Sequence, residues 1–379
     1  MTKQSIYNKK YYALIAVVLA IILVSGYNYF HKDIRHMTLS KEQQEQVTAL
    51  LQNSPTRCIG TYLIDLPAVF KADDTMDFNY RNRTVKINTY PQYLPPFKQM
   101  IALREQELKN TKPVNPINGN YLKAIYPLYS DDPEKIQGII FEHMESIGTP
   151  DVARILEGYR WQDEVTLKIE IKARNGIASR YDDDREDYPK LYANNVPQKL
   201  TDMSKLFGRI KTRDDLAIPT TPGFCFLRGF MQGEDREWKD MNYGYLHNSI
   251  ENFSFYFKFN DYADDYALLD KPESYFTSNR GHTIYKGTRS SEYLKLEEWI
   301  VKGKYFLDEK GFDTDDMGYL FTLGIHMTDP TYKTPQLRLE MYYKIPKDGT
   351  QGYSEDQLMV IWHEITNSIK IRESSFEPE

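Results

Sequence analysis

The chain has 379 residues, of which 41% are hydrophobic and 27% are charged, close to the averages of globular proteins. This composition excludes wholesale disorder, and the length is sufficient for about two or three domains with cores of their own. The net charge of -6 argues against a nucleic-acid-binding protein, and the two cysteines exclude a cysteine-rich zinc module.

The N-terminal segment predicts a membrane anchor. Residues 11–30 contain no charged side chain, and about twenty helical residues span about 30 Å, the thickness of the hydrocarbon core of a bilayer. Aromatic residues lie at both ends of this segment, and residues 1–10 contain lysines but no acid. The positive-inside rule then predicts a cytoplasmic tail at 1–10, a transmembrane helix at 11–30 and export of the chain that follows.

A cleaved signal peptide is the alternative to this uncleaved anchor. Val24, Ser25 and Gly26 form a weak cleavage site, since the first and last of them are small enough. However, the apolar segment is long for a signal peptide, and no Ala-x-Ala sequence is present. We therefore expect the helix to remain attached.

Helices and strands follow one another through the first half of the exported chain. Thr38 or Ser40 can cap a juxtamembrane helix within residues 31–54. Further helices are predicted from Pro96 to about residue 110 and at 197–210. The predicted strands are rich in apolar and aromatic residues and cover 56–66, 78–90, 121–129, 136–144 and 165–173.

A stretch with Pro219, Pro222 and Gly223 interrupts this pattern, and it predicts a linker at 214–222. Predicted strands and a final helix follow the linker. The chain closes with a helix, for which Ser354 and Gln357 have the spacing of a capping box. The predicted strands of the second half cover 224–229, 252–260, 319–327 and 337–345.

Strands followed by helices in both halves predict the α+β class. We expect two domains, at 55–213 and 223–373, each formed by an antiparallel sheet packed with helices. Residues 374–379 are expected to form a short tail.

The sequence shows no constellation for catalysis, for a metal or for a cofactor. His363 begins HEITN on the last helix, but a zinc site of this type needs a second His where Asn367 stands. Neither a G-x-S-x-G nucleophile elbow nor a glycine-rich phosphate loop is present. Asp65 ends a strand, as some catalytic acids do, but an Asp that caps its own turn is far commoner. We therefore predict a binding protein without cofactors rather than an enzyme.

Cys58 and Cys225 lie in hydrophobic segments, one in each half. In an oxidising compartment they can form one disulfide bridge, or they can remain two inert buried thiols. A bridge requires a Cα separation of about 5.5 Å, which a sequence does not give, so both alternatives stay open.

Four segments of the chain carry a family resemblance: TRCIGTYLIDLP, NVPQKLTDMSKLFGRIKTRDDLAIPTTPGFCFLRGFMQG, PQLRLEMYY and WHEITNSIKIR. They resemble the immunity proteins that pair with lipase effectors of the bacterial type VI secretion system, specifically the cognate immunity proteins of the fourth lipase effector class. The resemblance covers about residues 55–373. Thr61 replaces the family's usual Arg, and YALLD at 266–270 lacks the Arg that often follows Leu-Leu.

The resemblance implies a claw-like, two-domain inhibitor in the periplasm of a Gram-negative bacterium. It implies that the chain binds a cognate phospholipase effector and blocks its active site or the movement of its lid. The predicted anchor at 11–30 would hold the inhibitor in the inner membrane, with its N-terminus in the cytoplasm, which raises its effective concentration there. The alternatives are a membrane-anchored periplasmic enzyme that acts on lipid or envelope polymer, and a structural envelope protein.

Overall fold

The computed structural model of the chain describes residues 38–128, 136–262, 266–277, 281–304, 316–347 and 352–377. The predicted cytoplasmic tail (1–10) and transmembrane helix (11–30) lie outside these residues. Within the described ranges, no helix is both long enough and apolar enough to cross a membrane.

Strands dominate both halves. The elements that precede the linker are α1 (Lys41–Leu51), β1 (Thr56–Ile59), β2 (Tyr62–Asp65), β3 (Phe70–Tyr80), β4 (Val85–Pro91), α2 (Leu94–Asn110), β5 (Leu122–Leu128), β6 (Ile136–Met144), β7 (Ala153–Gln162), β8 (Val165–Arg174), α3 (Asp182–Asp187), α4 (Pro189–Tyr192), α5 (Val196–Arg209) and β9 (Ile210–Thr212). After the linker come β10 (Gly223–Phe226), β11 (Gly229–Gln232), β12 (Lys239–His247), β13 (Phe253–Asn260), α6 (Ser274–Thr277), β14 (His282–Ser290), β15 (Lys295–Gly303), β16 (Gly318–Ile325), β17 (Gln336–Lys344), α7 (Glu355–Asn367) and β18 (Lys370–Ile371).

Two segments predicted as single strands are hairpins. The segment 56–66 turns at Gly60, whose φ of 62° is the positive value that a two-residue hairpin turn requires at its first position. The segment 78–90 is divided by a turn between β3 and β4, where residues 81–83 all have positive φ. Gly60 lies in a mainly apolar segment, and the polar residues 81–84 were interpreted as imperfect alternation, which is why the sequence indicated one strand in each case.

The two halves share one sheet rather than forming a separate sheet each. Its 12 strands lie in the order β14, β15, β16, β17, β13, β12, β3, β4, β8, β7, β6 and β5, and neighbouring strands are antiparallel. β12 of the second half pairs with β3 of the first half, from Lys239 opposite Tyr80 to His247 opposite Phe70. An unpaired edge strand exposes its N–H and C=O groups, so pairing β3 with β12 removes one such edge from each half.

Two small sheets lie where the halves meet. One contains β1, β2 and β18, and the other contains β10, β11 and β9. A β-bridge pairs Gly60 with Cys225, and a disulfide joins Cys225 to Cys58, with 5.8 Å between the Cα atoms. Both cysteines are fully buried. Of the two alternatives for the cysteines, the structure therefore has the bridge.

Buried arginines hold the predicted linker in place. Arg213 donates to three carbonyl oxygens at 3.0–3.1 Å, those of Asp214, Asp215 and Ala217. Arg372, from the C-terminal end of the chain, donates to the carbonyl oxygens of Pro219, Thr221 and Gly223. Burial, and then the charge of Arg213, lowers the pKa of Arg372 to about 10, so the guanidinium stays charged at neutral pH. The linker is thus a fixed part of the fold.

The main core covers one face of the large sheet and is closed by α1, α5 and α7. The predicted capping box begins α7 at Ser354, and Ser40, one of the two predicted caps, begins α1, also with a capping box. The two helices also bind each other, because Gln43 Nε2 donates to Ser354 Oγ at 3.2 Å and Gln357 Nε2 donates to the carbonyl oxygen of Gln43 at 3.2 Å. The first described helix is therefore joined to the last.

Replacing both cysteines, Cys58→Ser with Cys225→Ser, should lower the free energy of unfolding. The bridge connects residues 167 positions apart, and removing a native disulfide costs about 2–5 kcal/mol. Urea unfolding of the full-length chain in mild detergent, followed by tryptophan fluorescence, measures the loss. A reducing agent should bring the wild type to the stability of the double variant without changing the variant itself. Equal stability of the variant and the oxidised wild type would contradict a disulfide at this position.

Candidate interaction surface

Asp65 and His363, which the sequence offered as a possible catalytic acid and a possible zinc ligand, make contacts that hold the fold together. Asp65 accepts a hydrogen bond from Thr56 Oγ1 at 2.5 Å, across the β1–β2 hairpin. His363 Nε2 lies 3.8 Å from Glu298, a fully buried carboxylate to which Trp362 Nε1 donates at 2.9 Å. The contacts of His363 and Trp362 with Glu298 connect α7 to the sheet. In the part of the chain that the structure describes, no group of three His, Cys, Asp or Glu residues could hold a metal ion.

The second face of the large sheet is open in its middle. Directly paired residues of neighbouring strands share a face, and on this face Asn242 of β12 pairs with Lys258 of β13, which pairs with Arg338 of β17. They border a depression of about 600 Å³, which we call the trough. Its lining consists of Asn242, Asn252, Ser254, Tyr256, Phe257, Lys258, Arg338, Glu340 and Tyr342.

The helix α2, which we call the first ridge, covers the same face on the side of the first half. The cross-strand register places Asn79, Lys86 and Glu170 on one face, next to Glu157 of β7. α2 packs on this face through an apolar cluster that contains Phe97, Leu108, Phe141, Tyr159 and Trp161. The trough is therefore bounded on this side by a helix that buries its apolar residues against the sheet.

Glu157 holds the first ridge to the sheet. It is 1% exposed, and Arg104 of α2 donates to it at 2.8 Å. Lys168 Nζ and His143 Nε2 lie 2.9 and 3.1 Å from its oxygens. Burial alone would raise the pKa of Glu157, but hydrogen bonds from His143 and Arg104 and the charge of Lys168 hold it well below its usual range. The carboxylate is thus ionised, and it fixes the helix by charge as well as by packing.

Residues 266–277 form the second ridge, on the side of the second half. Leu268 and Phe276 pack against Trp299, which pairs with Thr322 and so lies on the face of the trough. Lys286 Nζ lies 3.7 Å from the centre of the Trp299 ring. The ring of Phe276 lies 5.6 Å from the guanidinium of Arg338, which places this ridge at the border of the trough.

The trough combines aromatic rings with paired charges. Arg338 and Glu340 form an ion pair at 2.5 Å, and the hydroxyl of Tyr342 donates to Glu340 at 2.6 Å. Burial, and then the charge of Glu340, raises the pKa of Tyr342, so this hydroxyl is a hydrogen-bond donor and not a base. Tyr256 packs edge-on against Tyr342 and is 40% exposed. Tyr and Arg are enriched in protein–protein interfaces, so the composition of the trough is typical of a surface that contacts a protein.

The sequence alone did not identify the residues that line the trough, although a signal was present. Alternation in LRLEMYYKI puts Arg338, Glu340 and Tyr342 on one face of β17. The segment NFSFYFKFN was predicted as a strand, and within it Tyr256 is exposed and Lys258 is half-buried among buried neighbours.

Comparison with known proteins assigns the family. Residues 55–213 match the model of the Tle cognate immunity protein 4 N-terminal domain, and residues 217–374 match the model of the Tle cognate immunity protein 4 C-terminal domain. The chain belongs to the Tle cognate immunity protein 4 family. It is an immunity protein and not an enzyme, so the resemblance found in the sequence is confirmed and the alternative of an envelope-acting enzyme is set aside.

Solved structures share the fold of this immunity protein. The crystal structure of the Tle4-Tli4 complex matches with a TM-score of 0.61 at 18% identity, over 86% of this chain and 99% of that chain. The apo structure of the immunity protein TplEi of the T6SS from Pseudomonas aeruginosa matches with a TM-score of 0.60 at 18% identity, over 86% of this chain and 98% of that chain. TplEi complexed with "L" peptide matches with a TM-score of 0.57 at 17% identity, over 85% of this chain and 99% of that chain. No curated protein matches the sequence.

Replacing Glu157 with Gln should lower the free energy of unfolding by about 3–5 kcal/mol at neutral pH, the cost of leaving buried partner charges uncompensated. Because its pKa is lowered in the folded state, the carboxylate stabilises the fold above the unfolded pKa of about 4.3 and loses this contribution as the pH falls. The difference between wild type and Glu157→Gln should therefore shrink below about pH 4.5.

Urea unfolding of the full-length chain in mild detergent at several pH values measures this difference. Glu105→Gln is the control. Glu105 pairs with Lys109 on the surface of α2, where such a pair contributes about 0.3–0.5 kcal/mol. A difference for Glu157→Gln that stays constant down to pH 2 would contradict the role of the ionised carboxylate.

Proposed function

We propose that this immunity protein is anchored in the inner membrane and inhibits a type VI phospholipase effector in the periplasm. The observation that carries the proposal is the trough, an open sheet surface with a ridge at each side. The two ridges would act as the arms of a claw, and the effector would lie between them. The domains of the proposed inhibitor are 55–213 and 223–373, joined by the linker at 214–222.

The dimensions of the trough suit a convex part of a protein. The sheet surface that lies between the two ridges and contains the trough is formed by β17, β13, β12, β3 and β4, and strands about 4.8 Å apart give this floor a width of about 20–25 Å. A helix with its side chains is about 10–12 Å across, so the floor accepts a helix together with the loops beside it. A lid or the rim of an active site has this form.

Inhibition in this proposal is by obstruction. The trough presents Arg338, Tyr256 and Tyr342 as contact groups, and the charges of Arg338 and Glu340 are already paired with each other. A stable interface buries about 1,600 Å² in total, which requires contact beyond the depression itself, including both ridges. An effector held in this way cannot bring its active site to a bilayer.

Membrane anchoring supports the same function. The apolar segment 11–30 is separated from Thr38, the first described residue, by residues 31–37, which can span at most about 25 Å. Such a short connection would keep the inhibitor close to the lipid that a phospholipase attacks and would raise its effective concentration there.

Tyr256→Ala should weaken binding to the lipase encoded beside the gene for this chain by about 30-fold, because an aromatic group at the centre of an interface contributes about 2 kcal/mol. Full-length chain in mild detergent is titrated into the purified lipase, with hydrolysis of a fluorogenic phospholipid as the readout. Tyr293→Ala is the matched control, since Tyr293 is 48% exposed and lies in the β14–β15 turn beside Lys370. Equal effects of both variants on binding would exclude the trough as the binding surface. Failure of the wild type to inhibit the lipase would exclude the proposed inhibitory function.

Protease added to spheroplasts should digest the chain from its C-terminal side and leave a short membrane-bound fragment, whereas intact cells should protect it. The reason is the predicted topology, in which only residues 1–10 stay in the cytoplasm. Replacing Lys3, Lys9 and Lys10 with Glu should reduce export, because the positive charges that retain the N-terminus are then lost. Digestion only after lysis would place the chain in the cytoplasm, and release of the intact chain with the soluble periplasm would exclude the anchor.

A further inference from the structure

The turn between β3 and β4 has an unfavourable backbone. Arg81, Asn82 and Arg83 have φ values of 51°, 51° and 59°. Asn tolerates this left-handed conformation, but Arg adopts it rarely, and three such residues in succession persist only when their surroundings hold them. Strain of this kind is concentrated at functional sites, so the turn and its contacts warrant a functional explanation.

The turn of the first half is held by the second half. The backbone N–H of Arg81 donates to the carbonyl oxygen of Trp238 at 2.9 Å. Arg83 Nη2 donates to Asp240 at 3.3 Å. Both partners lie at the start of β12, the strand that joins the second half to β3. The turn therefore lies at the seam between the halves.

Three side chains are stacked at this seam. The guanidinium of Arg83 lies 5.7 Å from the centre of the Trp238 ring, and the Trp238 ring stacks on Tyr262 with 5.1 Å between centroids and 19° between planes. The side chain of Arg83 is 65% exposed, and both rings are partly exposed. Trp, Tyr and Arg are the residue types that contribute most to binding at protein interfaces.

A buried lysine keeps this stack rigid. Lys239 is 4% exposed, and its ammonium group donates to the carbonyl oxygens of Asp235 and Glu237 at 2.8 and 2.6 Å. Its backbone N–H donates to Asp261 at 2.8 Å, directly before Tyr262. The segments that carry both rings are thus fixed before any partner binds, which lowers the entropic cost of binding.

The stack is continuous with the trough. Asp240, the partner of Arg83, pairs with Asn79 and lies two residues before Asn242, so it is on the face that forms the floor. The stack therefore closes one end of the trough, where contacts from a bound protein would meet both halves.

We propose that Arg83, Trp238 and Tyr262 form the main anchoring site for the effector, and this rests on the proposed function. The site would take an acidic side chain of the effector beside an aromatic or aliphatic one. Asp240 engages one nitrogen of the Arg83 guanidinium, whose remaining donors can bind a carboxylate. The rings of Trp238 and Tyr262 supply the apolar contact next to it.

Arg83→Asn tests the site with little effect on folding, because Asn tolerates the left-handed conformation. It should weaken the affinity of the full-length chain, in mild detergent, for the lipase encoded beside its gene by about 30-fold. Its Tm should stay within about 4 °C of the wild-type value, since Arg83, the member of the pair that is removed, is 65% exposed, although its partner Asp240 is buried. Trp238→Ala should weaken binding at least as much.

The chain offers a matched control. Arg228 also has a positive φ, 55°, in a hairpin turn, and it also pairs with an acid, Asp74. Arg228→Asn should change the affinity by less than about twofold, because Arg228 does not line the trough and lies outside the proposed hot spot. If the Arg83→Asn variant binds the lipase as tightly as the wild type does, the proposed anchoring site is overturned. This holds even where Trp238→Ala fails to fold. Failure of the wild type to bind the lipase would instead overturn the proposed function.

Discussion

The antiparallel pairing of β3 with β12 is the constraint on which the rest of the molecule depends. It turns strands from two halves of the chain into one continuous sheet and thereby fixes how far apart α2 and residues 266–277 lie. On the other face, the Cys58–Cys225 disulfide and the two small sheets hold the same junction. Because backbone hydrogen bonds and a covalent bond both cross it, the trough has the rigidity of a domain interior.

Buried ions decide where the covering helices lie. Glu157 attaches α2 to the outer part of the sheet through Arg104, and Glu298 attaches α7 through Trp362 and Arg289. A buried charge is costly unless it is paired, so these clusters contribute less to total stability than apolar residues of the same size would. Their effect is geometric, since each carboxylate accepts its partners in only one arrangement of helix and strand.

Local patterns predicted many of the elements, but they missed β7, β12, β14 and β15 and did not predict the assembly. The alternation in VTLKIEIKAR and the capping box at Ser354 and Gln357 are local signals, and both elements form as predicted. β12, with Gly244 among its polar and aromatic residues, gives no clear period and was not predicted, although it joins the halves. The turn at 81–83 contains neither Gly nor Pro, and Asn82 alone was too weak a signal to indicate it. Strand pairing between distant segments depends on which strand edges meet. The periodicity of residues within one strand does not indicate which strand is its partner.

The sequence predicted the family but did not identify the trough. Three of the four segments that resemble immunity proteins surround the disulfide and the linker, and the fourth, PQLRLEMYY, contributes Arg338, Glu340 and Tyr342 to the trough. The lining of the trough consists of alternate residues of ordinary strands, and the sequence does not say which face of a sheet the helices leave uncovered.

The shared sheet has a consequence for how new recognition arises in this architecture. Exchanging one half with that of a distant relative would have to preserve the hydrogen-bond register of β3 with β12, the cysteine pair and the arginines that hold the linker. Recombination between genes at the linker would therefore disrupt folding more often than it would create a new specificity. Gradual substitution at outward-facing strand positions leaves the backbone unchanged, and it is the route by which such an inhibitor can follow a changing toxin.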